Sequence, residues 1–307
     1  MKKLEQLVAR SRALARSARS GVPGAAKSIR PVRLVLRLND IGLAPGLVRA
    51  TGERMNTAQW QDAIVRFEQW LGPTRLTIAG GEPARSEHLD LLVRFGNRLE
   101  CPVHLVTAGP VDRARAGLLI DRGLAAVTVL VGGIDEGTHA ATVGSPLAEA
   151  TGAVEAFRAA RASRTRELGI YVGVPLSEAN IPSVAAIAAW ARQAGADGVL
   201  ATVPLGVDAP AGAVAAVTAL GRDNLTPGHL QTWLAGRRTR AHGGLRCEIL
   251  SDGTLAVSSH VAPIGNVRAS DPRTVWEAAD EQIAATRAHP RPWDEVELVP
   301  ESLYSTR

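Results

Sequence analysis

Arg75-Leu76-Thr77-Ile78-Ala79-Gly80-Gly81-Glu82-Pro83 is the stretch on which the fold turns. Arg75 to Ala79 reads as a buried strand. It stops abruptly in paired glycines, an acid and a proline, residues that shape turns before anything else. On its N-terminal side, Gly72-Pro73 halts a helix capped by Asn56 or Thr57, with Trp60, Ile64, Phe67 and Leu71 at helical spacing. On its C-terminal side, Ser86 begins a second helix and Pro102 to Thr107 is the next strand.

The alternation extends in both directions. Arg33 to Leu38, Ala125 to Val131, Leu168 to Val174 and Gly198 to Val203 read as further strands. Val111 to Arg122, Pro146 to Ala162 and Ile181 to Ala194 read as helices between them. Six β-α units with apolar strands define an α/β fold, a parallel sheet covered by helices. Right-handed crossovers curl such a sheet into a partial TIM-like (β/α)6 barrel. Ligands of these folds bind at the carboxyl ends of the strands, where Gly80-Gly81, Gly109 and Gly132-Gly133 fall. Glycine there serves either a close backbone approach to a ligand or a tight turn, and spacing favours the turn. Beyond Asp208 the rhythm changes. Ala209 to Leu220, Pro227 to Arg238 and Pro272 to Ala285 read as helices, and Arg246 to Val257 alternates about Asp252-Gly253 as a hairpin.

The chain therefore divides into a basic amphipathic helical arm (1–30), the barrel (31–206) and a hairpin and helix extension (207–307). Residues 1–37 carry ten basic side chains against Glu5 alone, a surplus of nine that leaves the rest of the chain four negative within a total of +5. The positive balance is thus a property of the arm, and no basic body is present to grip nucleic acid. Leu4, Leu7, Val8, Leu14 and Ala15 share a stripe of about 120° on a helical wheel, with the charges outside it. Such a helix packs on the body, docks an acidic partner or a membrane surface, or serves as a transit peptide. Hydrophobic residues at 46% and charged residues at 21% suit a globular chain. No apolar run is long enough to span a membrane and none resembles a secretory signal, so a cytoplasmic location is expected.

The landmarks resemble, in order, those of the radical S-adenosylmethionine superfamily. Thr77 to Pro83 is similar to its G-G-E-P motif, and Thr107-Ala108-Gly109 to its T-N-G strand end. Gly133 to Gly144, with His139, resembles the segment after strand four, Asn180-Ile181 the exit of strand five, and Gly195-Ala196 the pair before strand six. Ser251 to Leu255, Ile264 to Val267 and Trp276 resemble a SPASM-type C-terminal extension. The resemblance spans roughly residues 31–285. It implies a cofactor-binding rim at Gly80, Gly81, Glu82, Pro83 and Thr107. For such a rim the resemblance implies S-adenosylmethionine as a possible ligand, and the extension implies peptide or small-metabolite modification.

The departures carry as much information. The family holds a four-iron cluster through C-x3-C-x2-C after strand one; the matching positions here are Gly42, Gly46 and Arg49. None is a thiolate, and no cysteine precedes Cys101. Cys247 stands alone in the extension, where an auxiliary cluster would want four thiolates and where Ser258 takes a cysteine position. Ala108 replaces the asparagine of T-N-G, and Leu130 stands where the family places a polar residue near the cofactor ribose. No [4Fe–4S] cluster and no other metal is expected.

Other chemistries find no foothold. The seven histidines, His88, His104, His139, His229, His242, His260 and His289, form no H-x-x-x-H pattern. His104 falls inside a strand and reads as a satisfied core histidine, and Asp135-Glu136 as a solvated pair. No nucleophile elbow, phosphate loop or dinucleotide fingerprint is present. Glu82 and Asp40, near strand ends, are the remaining acid–base candidates. The sequence thus points to a cluster-less, radical-SAM-like pseudoenzyme, a protein-partner or substrate-binding subunit of an active enzyme that modifies a peptide or small metabolite. The alternative is an enzyme that uses the barrel pocket without iron, binding intact S-adenosylmethionine.

Overall fold

The computed structural model describes residues 30–31, 33–40, 48–202, 212–224, 246–257 and 262–288. The amphipathic arm, Gly42 and Gly46, the helix expected over 227–238, Ser258, and His229, His242, His260 and His289 lie outside the described residues.

Strands and helices alternate as the apolar runs require. β1 (Arg33–Leu36) leads to α1 (Thr57–Leu71), β2 (Arg75–Ile78), α2 (Leu89–Arg98), β3 (Val103–Thr107), α3 (Arg113–Arg122) and β4 (Leu124–Leu130). α4 (Glu136–Val143), α5 (Leu147–Ala162), β5 (Gly169–Pro175), α6 (Val184–Gln193) and β6 (Gly198–Thr202) follow. α7 (Ala213–Asn224), β7 (Arg246–Ile249), β8 (Thr254–Ala256), β9 (Gly265–Asn266), α8 (Pro272–Glu277) and α9 (Asp280–Ala288) complete the described elements.

Local chemistry sets the boundaries. Asn56 and Gln59 form a reciprocal capping box at the start of α1, and Gly72, at φ +80°, ends the helix. Asp112 accepts the Arg115 amide at the start of α3. A short 3-10 turn at Pro83–Arg85 delays α2 beyond the expected Ser86 start. Another at Ile181–Ser183 precedes α6. The helix expected over 272–285 is broken into α8 and α9 at Ala278-Ala279.

One nine-stranded sheet results, in the order β6-β5-β4-β3-β2-β1-β7-β8-β9, and it does not close. β1 to β6 are parallel, and β7 joins them parallel to β1, with Cys247 opposite Leu34 and Glu248 opposite Val35. β8 and β9 then extend the edge antiparallel, so the Asp252-Gly253 hairpin continues the barrel sheet.

Period-two alternation gives the sheet two faces. Leu34, Leu36, Ile78, Leu105, Val127, Ile170, Val172, Cys247 and Ile249 turn outward into the main core beneath the helices. Trp276 of α8 is fully buried in that core and stacks near Trp70, which in turn meets Phe67 of α1. Aromatic burial on this scale ties the C-terminal segment to the barrel, and removing such a ring costs about 3–5 kcal/mol. The opposite, concave face carries a second cluster: Val35, Ala79, Val106, Leu130 and Leu200, with Ala108, Val143 and Tyr171 packed against it.

Candidate functional site

Polar side chains link consecutive strand ends at the carboxyl rim of the barrel. Just past β1, Asn39 Nδ2 donates to Glu82 O at 2.9 Å and Asn39 Oδ1 accepts from Glu82 N at 3.0 Å. This joins the exits of β1 and β2 where backbone pairing has ended. Gly81, at φ +67°, lies so close to Asn39 that a Cβ would overlap the Asn39 carbonyl and amide oxygens. Glycine is therefore demanded here by the protein's own geometry.

Glu82 makes the next link. Its Oε1 accepts from Ala84 N at 2.8 Å and from the Thr107 hydroxyl at 2.5 Å, and its Oε2 from Ala108 N at 2.8 Å. The side chain is buried, caps the 3-10 turn that Pro83 opens, and spans from β2 to β3. Burial pushes the Glu82 pKa up, against the three donors and Arg85, which pull it down. Glu82 and Thr107, expected at a cofactor rim, are thus bonded to one another. Oε1 is saturated, and Oε2 keeps one acceptor direction.

Asn180 serves the far side. Its Nδ2 donates to Gly132 O at 2.9 Å and Pro175 O at 2.7 Å, and its Oδ1 accepts from Ser177 N at 2.8 Å. His139 is buried against the same loop, its Nδ1 accepting from Gly132 N at 3.2 Å and its Nε2 meeting Ser145 Oγ at 3.2 Å. Asp135 and Glu136 are structural as well: Asp135 caps α4 through Thr138 N, and Glu136 accepts the Leu147 amide.

The concave face below this rim combines apolar and ionic layers. Arg37 is buried against Gly80, where a Cβ would meet its Nε at 3.0 Å. Its Nη1 donates to Val48 O at 2.6 Å and its Nη2 pairs with Glu248 Oε2 at 2.8 Å. Arg246 Nε holds the other oxygen of Glu248 at 2.7 Å. His104 Nε2 meets the Thr128 hydroxyl at 2.9 Å, while His104 Nδ1 is buried without a hydrogen-bond partner. Burial, reinforced by Arg33, lowers the His104 pKa to about 3, so the imidazole is neutral. Sequence reasoning missed Asn39 and the Arg37–Glu248–Arg246 group. An acid flanked by apolar residues in a strand is the signal that would have exposed the latter.

The C-terminal turn closes on the loop after β1. Asp252 Oδ2 accepts from Thr51 N and Gly52 N, both at 2.9 Å, and its Oδ1 from Thr254 N at 2.9 Å. Burial opposes ionisation of Asp252, but these bonds outweigh it and hold its carboxyl below the usual range. Asp40 Oδ2 accepts the Ala50 amide at 3.1 Å across the same loop.

The thiols lie elsewhere. Cys101 sits between α2 and β3, at the amino ends of the strands, and Cys247 faces outward from β7 into the main core. Both are buried; burial pushes the Cys101 thiol up to about 12 and raises that of Cys247 well above its ordinary value. Both lie away from the described part of the loop after β1, where Arg49 is exposed. These donors do not fit an iron–sulfur cluster, which needs several thiolates converging on one point.

No family model and no curated protein matches the chain. Solved structures do. Streptococcus suis SuiB bound to the precursor peptide SuiA matches with a TM-score of 0.64 at 14% identity, covering 85% of this chain and 67% of that one. SuiB bound to S-adenosylmethionine matches with a TM-score of 0.61 at 12% identity, covering 85% and 68%. Native anSMEcpe with bound AdoMet matches with a TM-score of 0.59 at 14% identity, covering 81% and 82%. The likeness shows a shared fold, an open α/β barrel. Among the described residues no helix is long and apolar enough to cross a membrane.

Proposed function

We propose that this chain is a radical-SAM-like barrel without an iron–sulfur cluster, a pseudoenzyme that serves as a partner or substrate-binding subunit of an active enzyme in peptide or small-metabolite modification. The carrying observation is the placement of the thiols. Cys101 and Cys247 lie at the wrong end and on the wrong face of the sheet for the loop after β1, and both resist deprotonation. The rim supports the same reading. Ala108 and Leu130, where the resembled family has polar residues, join one apolar cluster on the concave face. Glu82 and Thr107 are engaged with each other, and Arg37 lies beneath Gly80.

The ligand side of the proposal follows from the structural neighbours, one holding a precursor peptide and others S-adenosylmethionine. In this chain the ligand lies over the apolar cluster and contacts the backbone of Gly80 and Gly81. Glu82, Pro83 and Thr107 give the rim its shape. The site of action is the cytoplasm.

Incubation of the purified chain with S-adenosylmethionine and a strong reductant tests this directly. The proposal expects no deoxyadenosine, and catalytic release of deoxyadenosine would overturn it. Calorimetry on the same iron-free chain tests the second reading: saturable micromolar binding of intact S-adenosylmethionine would favour an enzyme that uses the pocket without iron, the bond that Oε2 of Glu82 can still accept being its structural basis.

A further inference from the structure

One layer of the barrel interior is built of small side chains around a polar atom whose bonding is incomplete. Val35, Thr77, His104, Ala126 and Gly169 stand opposite one another, strand to strand, from β1 to β5. All five belong to the concave face, by alternation with the outward residues between them. Layers inside a barrel are ordinarily filled by bulky branched residues. Here only His104 is large. At Gly169 the missing side chain is replaced by the Tyr171 ring, an edge carbon of which lies 2.7 Å from where a Cβ would be. Ala126, between Gly169 and His104, contributes a single methyl group.

His104 is 3% exposed and Thr77, directly opposite it on β2, is 1% exposed. His104 Nε2 is committed to the Thr128 hydroxyl of β4. The two ring nitrogens point apart, so Nδ1 is turned away from β4, and among the described residues nothing bonds to it. This nitrogen differs from the other unpaired buried atoms. Those of Asp40, Arg66, Trp70, Asp90, Arg115 and Arg122 belong to residues that are partly exposed. Ser251 is buried, but its hydroxyl is free to rotate toward a neighbouring carbonyl. The His104 ring has no such freedom, because turning it gives up Thr128. A buried nitrogen left unpaired is costly, and native interiors meet such groups with protein or with water.

We propose that the barrel interior holds an ordered water molecule, bound between His104 Nδ1 and the Thr77 hydroxyl. Water suits the site because it serves either tautomer. It donates to a bare Nδ1 or accepts from a protonated one, and the Thr77 hydroxyl complements it in both cases. A charged guest would meet apolar Val35 and Ala126 on either side. The proposal goes beyond the reading of the barrel mouth above and is independent of it.

A crystal structure of the full chain, at a resolution that shows single waters, is the test. One water is expected within hydrogen-bond distance of both His104 Nδ1 and Thr77 Oγ1. Nuclear Overhauser contacts between the His104 ring protons and a long-lived water should report the same molecule in solution. Thr77→Val, which keeps the shape and removes one partner, should lose it. Thr77→Val and His104→Leu should each raise the unfolding constant about tenfold, and the double variant by well under their product, since both remove one bridge. A dry niche, Nδ1 bonded to a protein atom, or an ion or organic molecule at the position would overturn the proposal. So would a water that persists unchanged in Thr77→Val, or losses that multiply in full.

Discussion

The Thr107 hydroxyl approaches two acceptors at once, Glu82 Oε1 at 2.5 Å and the Gly109 carbonyl at 2.8 Å, but it has one proton to give. The hydroxyl shares that proton between the two in a three-centre bond, and burial raises the Glu82 pKa. The acid of the Gly80–Pro83 turn thus fastens β2 to β3 and is poorly placed to serve as a free base.

A pH dependence follows. A carboxyl whose folded pKa is raised leaves the native state holding more protons than the unfolded chain between the two values. Its contribution to stability is fully present below the ordinary glutamate pKa and is lost as pH rises through the folded one. Urea unfolding across that window should show wild-type stability declining, whereas Glu82→Gln, which removes the titrating group and at least one accepted backbone bond, should be less stable and show a flatter profile. Identical slopes would refute the raised Glu82 pKa.

His104 carries the opposite sign. Its folded pKa of about 3 lies below the ordinary histidine value of 6.5, so its contribution is present above 6.5 and fades as pH falls toward 3. His104→Gln can keep a bond to Thr128 and should flatten the acid limb of the stability profile. A histidine resonance titrating near 6.5 and assigned to His104 would contradict this placement.

Two glycines separate turn geometry from helix propensity. Gly81→Ala should destabilise by about 2 kcal/mol or more, because the residue is at positive φ and faces Asn39. Gly152→Ala, in the interior of α5 with nothing within 4 Å of the new methyl, should stabilise by about 0.5–1 kcal/mol. Denaturant midpoints of the two variants against wild type decide the matter; equal effects would dissociate Gly81 from the Asn39 contact.

Glu248 is buried with Arg37 on one oxygen and Arg246 on the other. Glu248→Gln should cost about 3 kcal/mol in urea unfolding, because it leaves buried guanidinium charge uncompensated. A change within experimental error would mean that other groups neutralise Arg37.

Much of the barrel was legible because strand and helix leave different marks. Apolar strand runs, the Asn56 cap and the Asp252-Gly253 turn placed the parallel strands, α1 and the hairpin within a residue or two. α4 was not legible: Glu136 to Val143 is one short span with His139 alone buried, so it shows no apolar period. The parallel pairing of β7 with β1 joins residues more than two hundred apart, and no local pattern announces it. At the rim, glycines and Glu82 stood out as residue types, but their partners did not. Asn39 lies forty-three residues before Glu82 and Thr107 twenty-five after it, so only the folded sheet shows that these groups satisfy one another. The absence of cysteine before Cys101 was readable from the sequence outright; the burial of Cys101 at the amino ends of the strands and of Cys247 beneath the helices was not.

Iron content after anaerobic reconstitution tests the central claim most directly. The full chain is incubated with ferrous iron and sulfide under reducing conditions, desalted and assayed for iron and visible absorbance. We expect a colourless protein with no stoichiometric iron, since no cysteine precedes Cys101 and both Cys101 and Cys247 are buried away from the carboxyl rim. A brown protein retaining about four irons per chain, the content of one [4Fe–4S] cluster, would contradict the account.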